Sequence, residues 1–506
     1  MGELRETVPL CPDRQATVVV SGLARFKAAV RAITLITYGV SNCMEQEKHI
    51  SDPKGRKGLT WLALISIGGT IFSMHFGGAS MIWPVTWGKM AGRDVLEVYL
   101  GVFPTALFLP WVAYYAVARG GSLSTMAKRV GRAFEYLFAL PAMLIIGPLF
   151  TIPRMSAASW DALSTLFGFS RDNVVSRIVF QLAYYMVAYW FLAKLSDIVD
   201  KMSRFLVPFL LVLVFAIIVK GVLDPIGGWA EPSYGNNALS WGFVSGYQTS
   251  ELLVALAFAG LIMFDLKGRG IQDEGDQLRY LMLTAAIGIG ILCLTHLGHM
   301  LVGARTGHEF EELRYADLYA SVVMRLWGRV GGALFNLGLL LAALTTAIGC
   351  NAGVSSYIEE LTKGRLSYNA AAVGISAVSM LVSSMGLSRI IQFTAPLFSI
   401  TYPPSIVLTI GYSLLQPWRS NRHAACIRVA AWTSLILGWV DALLIWFGPV
   451  EGNRFLTALI TFLNRYIAAV PGGEQGLGWV IPSLVAGLAT WIAAGNSSGT
   501  AVEKDA

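Results

Sequence analysis

Long apolar runs separated by short polar loops make up most of the chain after residue 58. Twelve of these runs approach or exceed the roughly 20 residues that a helix needs to cross about 30 Å of hydrocarbon. The pattern therefore predicts an all-α integral membrane protein with about 12 transmembrane helices. The predicted segments are 61–90, 95–118, 137–166, 174–193, 203–222, 243–265, 279–303, 329–358, 369–386, 389–415, 426–447 and 478–495.

Residues 1–58 differ from the rest of the chain. The stretch 14–43 is mildly apolar, but Arg25, Lys27 and Arg31 interrupt it, so no part of 1–58 is predicted to span a bilayer. We interpret 1–58 as an N-terminal extension, either disordered or partly the product of a misassigned start, with Met44 as the alternative start. Residues 59–496 are predicted to form the membrane-spanning domain, and 497–506 a short C-terminal tail.

Composition agrees with a membrane protein. The chain is 55% hydrophobic and 14% charged, against about 25% charged in soluble proteins. The net charge of +7 requires no nucleic-acid partner, because cytoplasmic loops collect Lys and Arg. Loops on the side of the N-terminal leader carry 19 such residues against 12 opposite. Both termini are therefore predicted to be cytoplasmic, in a multi-pass protein of the plasma membrane, or of the inner membrane in a bacterium.

Two of the twelve segments contain weak helical stretches. Segment 1 carries Phe76-Gly77-Gly78-Ala79-Ser80, and segment 6 carries SGYQTSELLVALAFAG from Ser245 to Gly260. Interrupted helices in corresponding positions of two repeats indicate a transporter binding site. A spacing of five segments is the one that a five-plus-five inverted repeat would produce. Close helix–helix packing through small residues is the alternative interpretation.

Three polar side chains add candidate chemistry. Glu251 in segment 6 suggests a substrate pathway, because a carboxylate is costly in hydrocarbon, although interfacial water could also surround it. The hydroxyls of Thr345 and Thr346 in segment 8 suit a desolvated Na⁺. Alternatively, they bond carbonyls of their own helix.

Several sequence blocks resemble the branched-chain amino acid:cation symporter family. The resemblance extends over nearly the whole chain after residue 60. It is carried by FGGASMIWP (76–84), IIGPLFTIPR (145–154), GYQTSELLVALAFAG (246–260), LTTAIG (344–349), TAPLFSITYPPSIVL (394–408) and EQGLGWVIP (474–482).

The resemblance implies a LeuT-like fold, with a five-plus-five inverted repeat plus two helices, that imports leucine, isoleucine and valine by alternating access. The coupling ion would be Na⁺ or H⁺, and no other cofactor is expected. Sodium would be bound by the Thr345 and Thr346 hydroxyls and by backbone carbonyls of Phe72 and His75. The implied substrate contacts are Phe76, Gly77, Gly78, Ala79, Ser80, Glu251, Ala257, Phe258, Ala259 and Gly260.

Two positions depart from the family pattern. Ser80 stands where Asn is expected, and Glu251 where Asp is usual. Because both belong to the implied site, a shift toward methionine or another neutral amino acid is the alternative substrate prediction. The oligomeric state is left open.

Other residues allow a functional or a structural interpretation. His75 could exchange a proton or only pack and hydrogen-bond, and His296 with His299 could bind a metal only with a further ligand. Arg154 could form a gating ion pair or anchor the chain at the membrane interface.

Two other classes of function fit the sequence less well than a transporter. A membrane-embedded transferase would need paired carboxylates or a His-Asp motif in its loops, and these short loops show none. A channel or sensor would leave the paired helix interruptions unexplained. The sequence therefore predicts a transporter and not an enzyme.

Overall fold

A computed structural model describes residues 50–51, 57–167, 169–170, 173–193, 202–235, 237–307, 309–310, 312–313, 315–417, 419–447 and 454–494. The chain divides into two compact units, Met1–Ala63 and Leu64–Ala506. In the first unit, β1 (Ile50–Ser51) pairs antiparallel with β2 (Lys57–Gly58). The alternative start at Met44 and the tail at 497–506 lie outside the described residues, so the predicted boundaries stay predictions.

Helices make up almost all of the second unit. Short π-helical stretches join several of them, at Pro104–Phe108, Glu135–Ala139, Ile145–Leu149 and Met202–Leu206. The α-helices are α1 Trp61–His75, α2 Gly78–Ala91, α3 Val95–Phe103, α4 Leu109–Gly120, α5 Leu123–Val130, α6 Arg132–Phe134, α7 Leu140–Leu144, α8 Thr151–Phe167, α9 Val174–Leu192, α10 Val207–Leu223, α11 Ala238–Ser245, α12 Glu251–Gly268, α13 Glu274–Ala304, α14 Tyr315–Leu361, α15 Tyr368–Ser383, α16 Leu387–Leu414, α17 Asn421–Phe447, α18 Arg454–Ala469 and α19 Val480–Ala493.

The prediction of an all-helical, multi-span membrane fold is confirmed. Within the described residues, seven helical stretches are long and apolar enough to cross a membrane, or eight if one bent pair counts as a single span. Four shorter apolar helices (α1, α10, α15 and α19) lie in predicted segments 1, 5, 9 and 12. The exact number of twelve crossings stays a prediction.

Some helices extend beyond the predicted segments. Helix α14 begins at Tyr315, well before the predicted start at 329, and bends at Gly328, whose φ of 63° and ψ of −152° leave the helical region. Glycine adopts this backbone without steric cost, so helix can continue on both sides of the bend. Helices α5 and α18 fall between the predicted segments, because their apolar residues are too interspersed with polar ones to form a spanning run.

Both predicted helix interruptions are present, and the second lies at the start of the predicted stretch from Ser245 to Gly260. The first separates α1 from α2 at Phe76–Gly77. The second is a 3₁₀ turn at Gly246–Thr249 followed by Ser250, where α11 and α12 meet at a bend of 45°. The small residues at the end of that stretch, Ala257, Ala259 and Gly260, lie in continuous helix. Alanine is the best helix former, so small side chains alone do not end a helix.

A third interruption divides segment 3. Gly147 has φ −90° and ψ −120°, outside the helical region, and precedes Pro148. The helix resumes at Thr151 and carries Arg154 and Met155 in its first turns. The residue before a proline is disfavoured in α conformation, which explains why the helix breaks at this point.

The core of the second unit surrounds the first interruption. Helix α2 packs against α13 with almost no space between their backbones. A Cβ atom added to Gly88 would lie 1.9 Å from the Met300 carbonyl oxygen, and one added to Gly303 would lie 2.0 Å from the Val85 oxygen. Glycine at both positions therefore allows the close contact that holds α2 in place beside the interruption.

Candidate functional site

The first interruption leaves the helical path over two residues. Phe76 N still donates to Phe72 O, at 2.6 Å, but Gly77 N turns to His75 O, at 2.8 Å. Helix α2 then starts at Gly78, and the first amides of a helix have no partner within it. Both residues of the interruption are buried, so irregular backbone lies inside the protein instead of facing lipid.

Glu251 connects the two interruptions. It opens α12 directly after Ser250, and 1% of its surface is exposed. One carboxylate oxygen accepts from Ser80 Oγ, and the other lies 2.5 Å from His75 Nδ1. Burial excludes the alternative that Glu251 lies in interfacial water. The start of a helix also favours a negative charge, because the macrodipole is positive there.

His75 extends this contact toward a third helix. Its Nε2 atom lies 2.9 Å from the hydroxyl of Tyr114 in α4, and its ring contacts Phe258 edge-on at 5.4 Å. The chain Glu251–His75–Tyr114 is therefore continuous and fully buried. Tyr114 could not be identified from the sequence, because no local pattern reveals that α4 faces His75.

The threonine pair contacts helix α1 at the carbonyl of Ser73, which was not among the predicted sodium ligands. Thr345 Oγ1 donates to Ser73 O at 2.7 Å, and Thr346 Oγ1 lies 3.5 Å from the same oxygen. The interpretation that these hydroxyls bond only their own helix is therefore incomplete, although Thr345 also bonds Ala342 O at 3.0 Å. Two hydroxyls and one carbonyl converge, and such neutral oxygens can replace the hydration shell of a small cation.

The two carbonyls that were expected to assist the threonines already accept other bonds. Phe72 O accepts from the amide of Phe76, and His75 O accepts from Gly77 N and from Ser80 Oγ, the latter at 3.0 Å. Ser73 O is therefore the α1 carbonyl to which the threonine pair has described contacts.

The expected contacts in α12 divide into two groups. Ala257, Phe258 and Ala259 are buried beside the interruption, with Phe258 against His75. Gly260 is exposed, and a Cβ atom added there would meet nothing within 4 Å. The structure therefore brings the first three together with the site and places Gly260 on the outside of the helix.

Arg154 is fully buried, which excludes its interpretation as an interfacial anchor. Its Nη1 atom donates to the Gln248 carbonyl at 3.2 Å, within the second interruption. Its guanidinium carbon lies 4.1 Å from the Phe150 ring centroid and 5.2 Å from that of Trp83. Among the described ion pairs, none includes Arg154.

His296 and His299, which were candidate metal ligands, form hydrogen bonds in the described structure. His299 Nε2 lies 2.6 Å from Tyr319 OH, and its Nδ1 lies 2.6 Å from Thr295 O. In the part of the chain that the structure describes, no group of three or more His, Cys, Asp or Glu side chains could hold a metal. His299 thus forms a hydrogen bond between α13 and α14, whereas His296 Nδ1 bonds Leu292 O of its own helix at 3.0 Å.

A cavity of about 860 Å³ adjoins the second interruption. Gln248 lies at its boundary, and the EQGLGWVIP block contributes Glu474, Gln475 and Gly476 to its wall. The Gln248 side chain also accepts from Trp83 Nε1 at 2.6 Å, which connects the wall to α2. This cavity therefore reaches the second interruption at Gln248.

Residues 62–496 match the family model described as "Branched-chain amino acid transport protein". The branched-chain amino acid transport system 3 carrier protein of Pseudomonas aeruginosa is 30% identical over 430 residues, covering 83% of this chain and 93% of that protein. The branched-chain amino acid permease BrnQ of Corynebacterium glutamicum is 31% identical over 420 residues, covering 82% and 91%. The Escherichia coli BrnQ permease is 27% identical over 428 residues, covering 83% and 93%.

Solved structures of transporters share the fold. Mhp1, a nucleobase-cation-symport-1 family transporter, aligns with a TM-score of 0.53 at 13% identity, covering 85% of this chain and 92% of that one. A manganese transporter of Eremococcus coleocola aligns with a TM-score of 0.51 at 12% identity, covering 88% and 99%. At these identities the likeness establishes the fold alone, and it confirms the predicted LeuT-like architecture.

Proposed function

The chain belongs to the family of branched-chain amino acid transport proteins, and we propose that it imports leucine, isoleucine and valine by coupling their entry to a Na⁺ gradient. The observation that carries the proposal is the meeting of two helix interruptions at one buried carboxylate, Glu251. Interrupted helices that face each other at mid-membrane are the usual construction of a substrate and ion site in such transporters.

The substrate would bind between the interruptions. The α-carboxylate would accept a hydrogen bond from the Ala79 amide in the first turn of α2, where the helix dipole favours negative charge. The α-ammonium would lie toward the Glu251 carboxylate. Apolar neighbours such as Phe76 and Phe258 would surround the aliphatic side chain, as hydrophobic walls do in most small-molecule sites.

The coupling ion would lie between α1 and α14. The residues present fit Na⁺, because Thr345 Oγ1, Thr346 Oγ1 and Ser73 O are hard, uncharged oxygens that converge in a buried place. When bound, Na⁺ would join α1 to α14 and favour one conformation of the transporter. A downhill ion then drives uptake because it shifts the equilibrium between outward-open and inward-open states. H⁺ is the alternative coupling ion.

The protein would lie in the inner membrane if its source is bacterial, with both termini in the cytoplasm. The excess of Lys and Arg on the side of the leader supports this orientation. A cysteine-accessibility assay at the two termini would test it.

Uptake by the purified full-length protein in liposomes tests the proposal. An inward Na⁺ gradient should drive accumulation of radiolabelled leucine above its outside concentration, and an ionophore that collapses the gradient should abolish it. Accumulation that is driven by a pH gradient alone, with choline in place of Na⁺, would show that H⁺ is the coupling ion. Accumulation of methionine but of no branched-chain amino acid would show that methionine is the substrate. Accumulation of neither would overturn the proposal.

A further inference from the structure

Arg154 has more hydrogen-bonding capacity than the described structure uses. Its Nη1 atom donates to Gln248 O, whereas its Nε and Nη2 atoms are buried and have no hydrogen-bond partner among the described residues. Nε and Nη2 lie on one edge of the guanidinium and form two parallel donors. This edge is one of the two that can bind a carboxylate in a bidentate way.

A charge in this position needs a compensating partner. The guanidinium remains protonated in proteins, and 2% of the Arg154 residue is exposed. Burial of a charge is costly unless it is paired and hydrogen-bonded. The rings of Phe150 and Trp83 provide some cation–π stabilisation but no hydrogen bond. The unpaired edge therefore has the properties of a binding group whose partner arrives from outside.

The position of Arg154 brings it to both interruptions. The adjacent residue, Met155, accepts through Sδ from the Gly78 amide at 3.0 Å, which places the first turns of α8 against the start of α2. Gln248, the partner of Arg154 Nη1, lies three residues before Glu251 and borders the 860 Å³ cavity. Gln248 therefore connects the guanidinium of Arg154 to the wall of this cavity.

We infer that the Nε–Nη2 edge of Arg154 binds the α-carboxylate of the transported amino acid, in addition to the Ala79 amide at the start of α2. Arg154 thereby selects for ligands that carry a carboxylate. The inference rests on the proposed function, since it assigns one group of the same substrate site. A zwitterionic amino acid would supply its carboxylate to Arg154 and its ammonium to Glu251.

Ligand analogues separate this role from a structural one. Binding of leucine is compared with binding of 3-methylbutylamine, which lacks the carboxylate, by competition with a radiolabelled amino acid on the purified protein. Wild-type protein should prefer leucine. Arg154→Gln should weaken leucine binding by about 10- to 100-fold, the loss expected for a charged hydrogen-bonding group. It should leave binding of 3-methylbutylamine nearly unchanged.

Arg154→Lys provides the second variant, because it retains the charge and most of the volume if Arg154→Gln does not fold. It should show an intermediate loss of preference, since lysine lacks the planar fork. Arg93→Gln, in an exposed pair with Glu231, is the matched control and should keep the wild-type preference.

An equal loss of affinity for both ligands, or an unchanged preference for leucine in both Arg154 variants, would overturn the inference. If wild-type protein binds a different neutral amino acid, the proposed substrate fails. The same comparison then proceeds with that amino acid and its decarboxylated amine. Binding of no α-amino acid would overturn both proposals.

Discussion

The two helix interruptions meet at one carboxylate but are built in different ways. At the first, Gly77 has φ −87° and ψ −174°, an extended backbone open to any residue. Its glycine is needed for space, because an added Cβ atom would lie 2.7 Å from Thr346 Oγ1. At the second, Ser250 adopts φ 66° and ψ 14°, a left-handed conformation that favours glycine, yet the residue is serine.

This difference separates two roles of small residues. The first interruption depends on contact with a distant helix, so a larger residue at Gly77 would act on α14 and the threonine pair. The second depends on a local backbone conformation that the surrounding structure maintains despite a cost of about 1–2 kcal/mol. Substitutions at the two interruptions should therefore change different properties of the protein.

The largest effect is expected where the interruptions join. Glu251→Ala would leave the His75 ring and the Ser80 hydroxyl buried without their shared partner, and we expect leucine uptake to fall at least about 100-fold. Glu251→Asp keeps the charge and should retain part of the activity. Initial uptake rates in liposomes measure both effects. Glu231→Ala, at an exposed ion pair, is the control and should stay near the wild-type rate. Uptake by Glu251→Ala within threefold of wild type would contradict the role of Glu251 as the group that joins the two interruptions.

The next effect concerns space at the first interruption. Gly77→Ala should lower uptake by about 10-fold or more, because the new methyl group would displace Thr346 or separate α2 from α14. Gly290→Ala is the matched control, since a Cβ atom there would meet nothing within 4 Å. Equal uptake by the two variants would show that space at Gly77 is not limiting.

A smaller and more selective effect is expected at the threonine pair. Thr345→Val with Thr346→Val should raise the Na⁺ concentration for half-maximal uptake by about 10-fold or more, because two oxygens beside Ser73 O are lost. Thr433→Val is the control, as the Thr433 hydroxyl bonds Val429 O in its own helix. An unchanged Na⁺ dependence would remove both threonines as ligands.

The smallest effect is expected at Ser250. Ser250→Gly removes the steric cost of the left-handed conformation, although glycine also gains more freedom in the unfolded chain. The variant should keep uptake within about twofold of wild type and should not lower the melting temperature. Ser250→Val should lower it, because a β-branched residue is strongly disfavoured at positive φ. Thermal unfolding followed by size-exclusion chromatography measures the melting temperatures of both variants. A lower melting temperature for Ser250→Gly than for Ser250→Val would contradict the conformational explanation.

The family assignment and the first interruption could be predicted from the sequence because their signals are local. Consecutive glycines before Pro84 mark the interruption, and the ordered blocks identify the family, whose match confirms that the chain is a transporter and not an enzyme. The predicted stretch from Ser245 to Gly260 contains the second interruption but did not fix its position, because Ser250 carries no glycine signal and the alanines after Glu251 lie in ordinary helix.

Hydrophobic length by itself determined that this chain is a helical membrane protein, since every long apolar run must satisfy its backbone hydrogen bonds internally to cross a bilayer. Only the tertiary structure decided which polar groups meet. Glu251 and His75 are 176 positions apart, and the partners of Arg154 and the threonine pair come from other helices. Such contacts depend on how helices pack, and a periodic pattern along one helix contains no information about the residue that a neighbouring helix places opposite it.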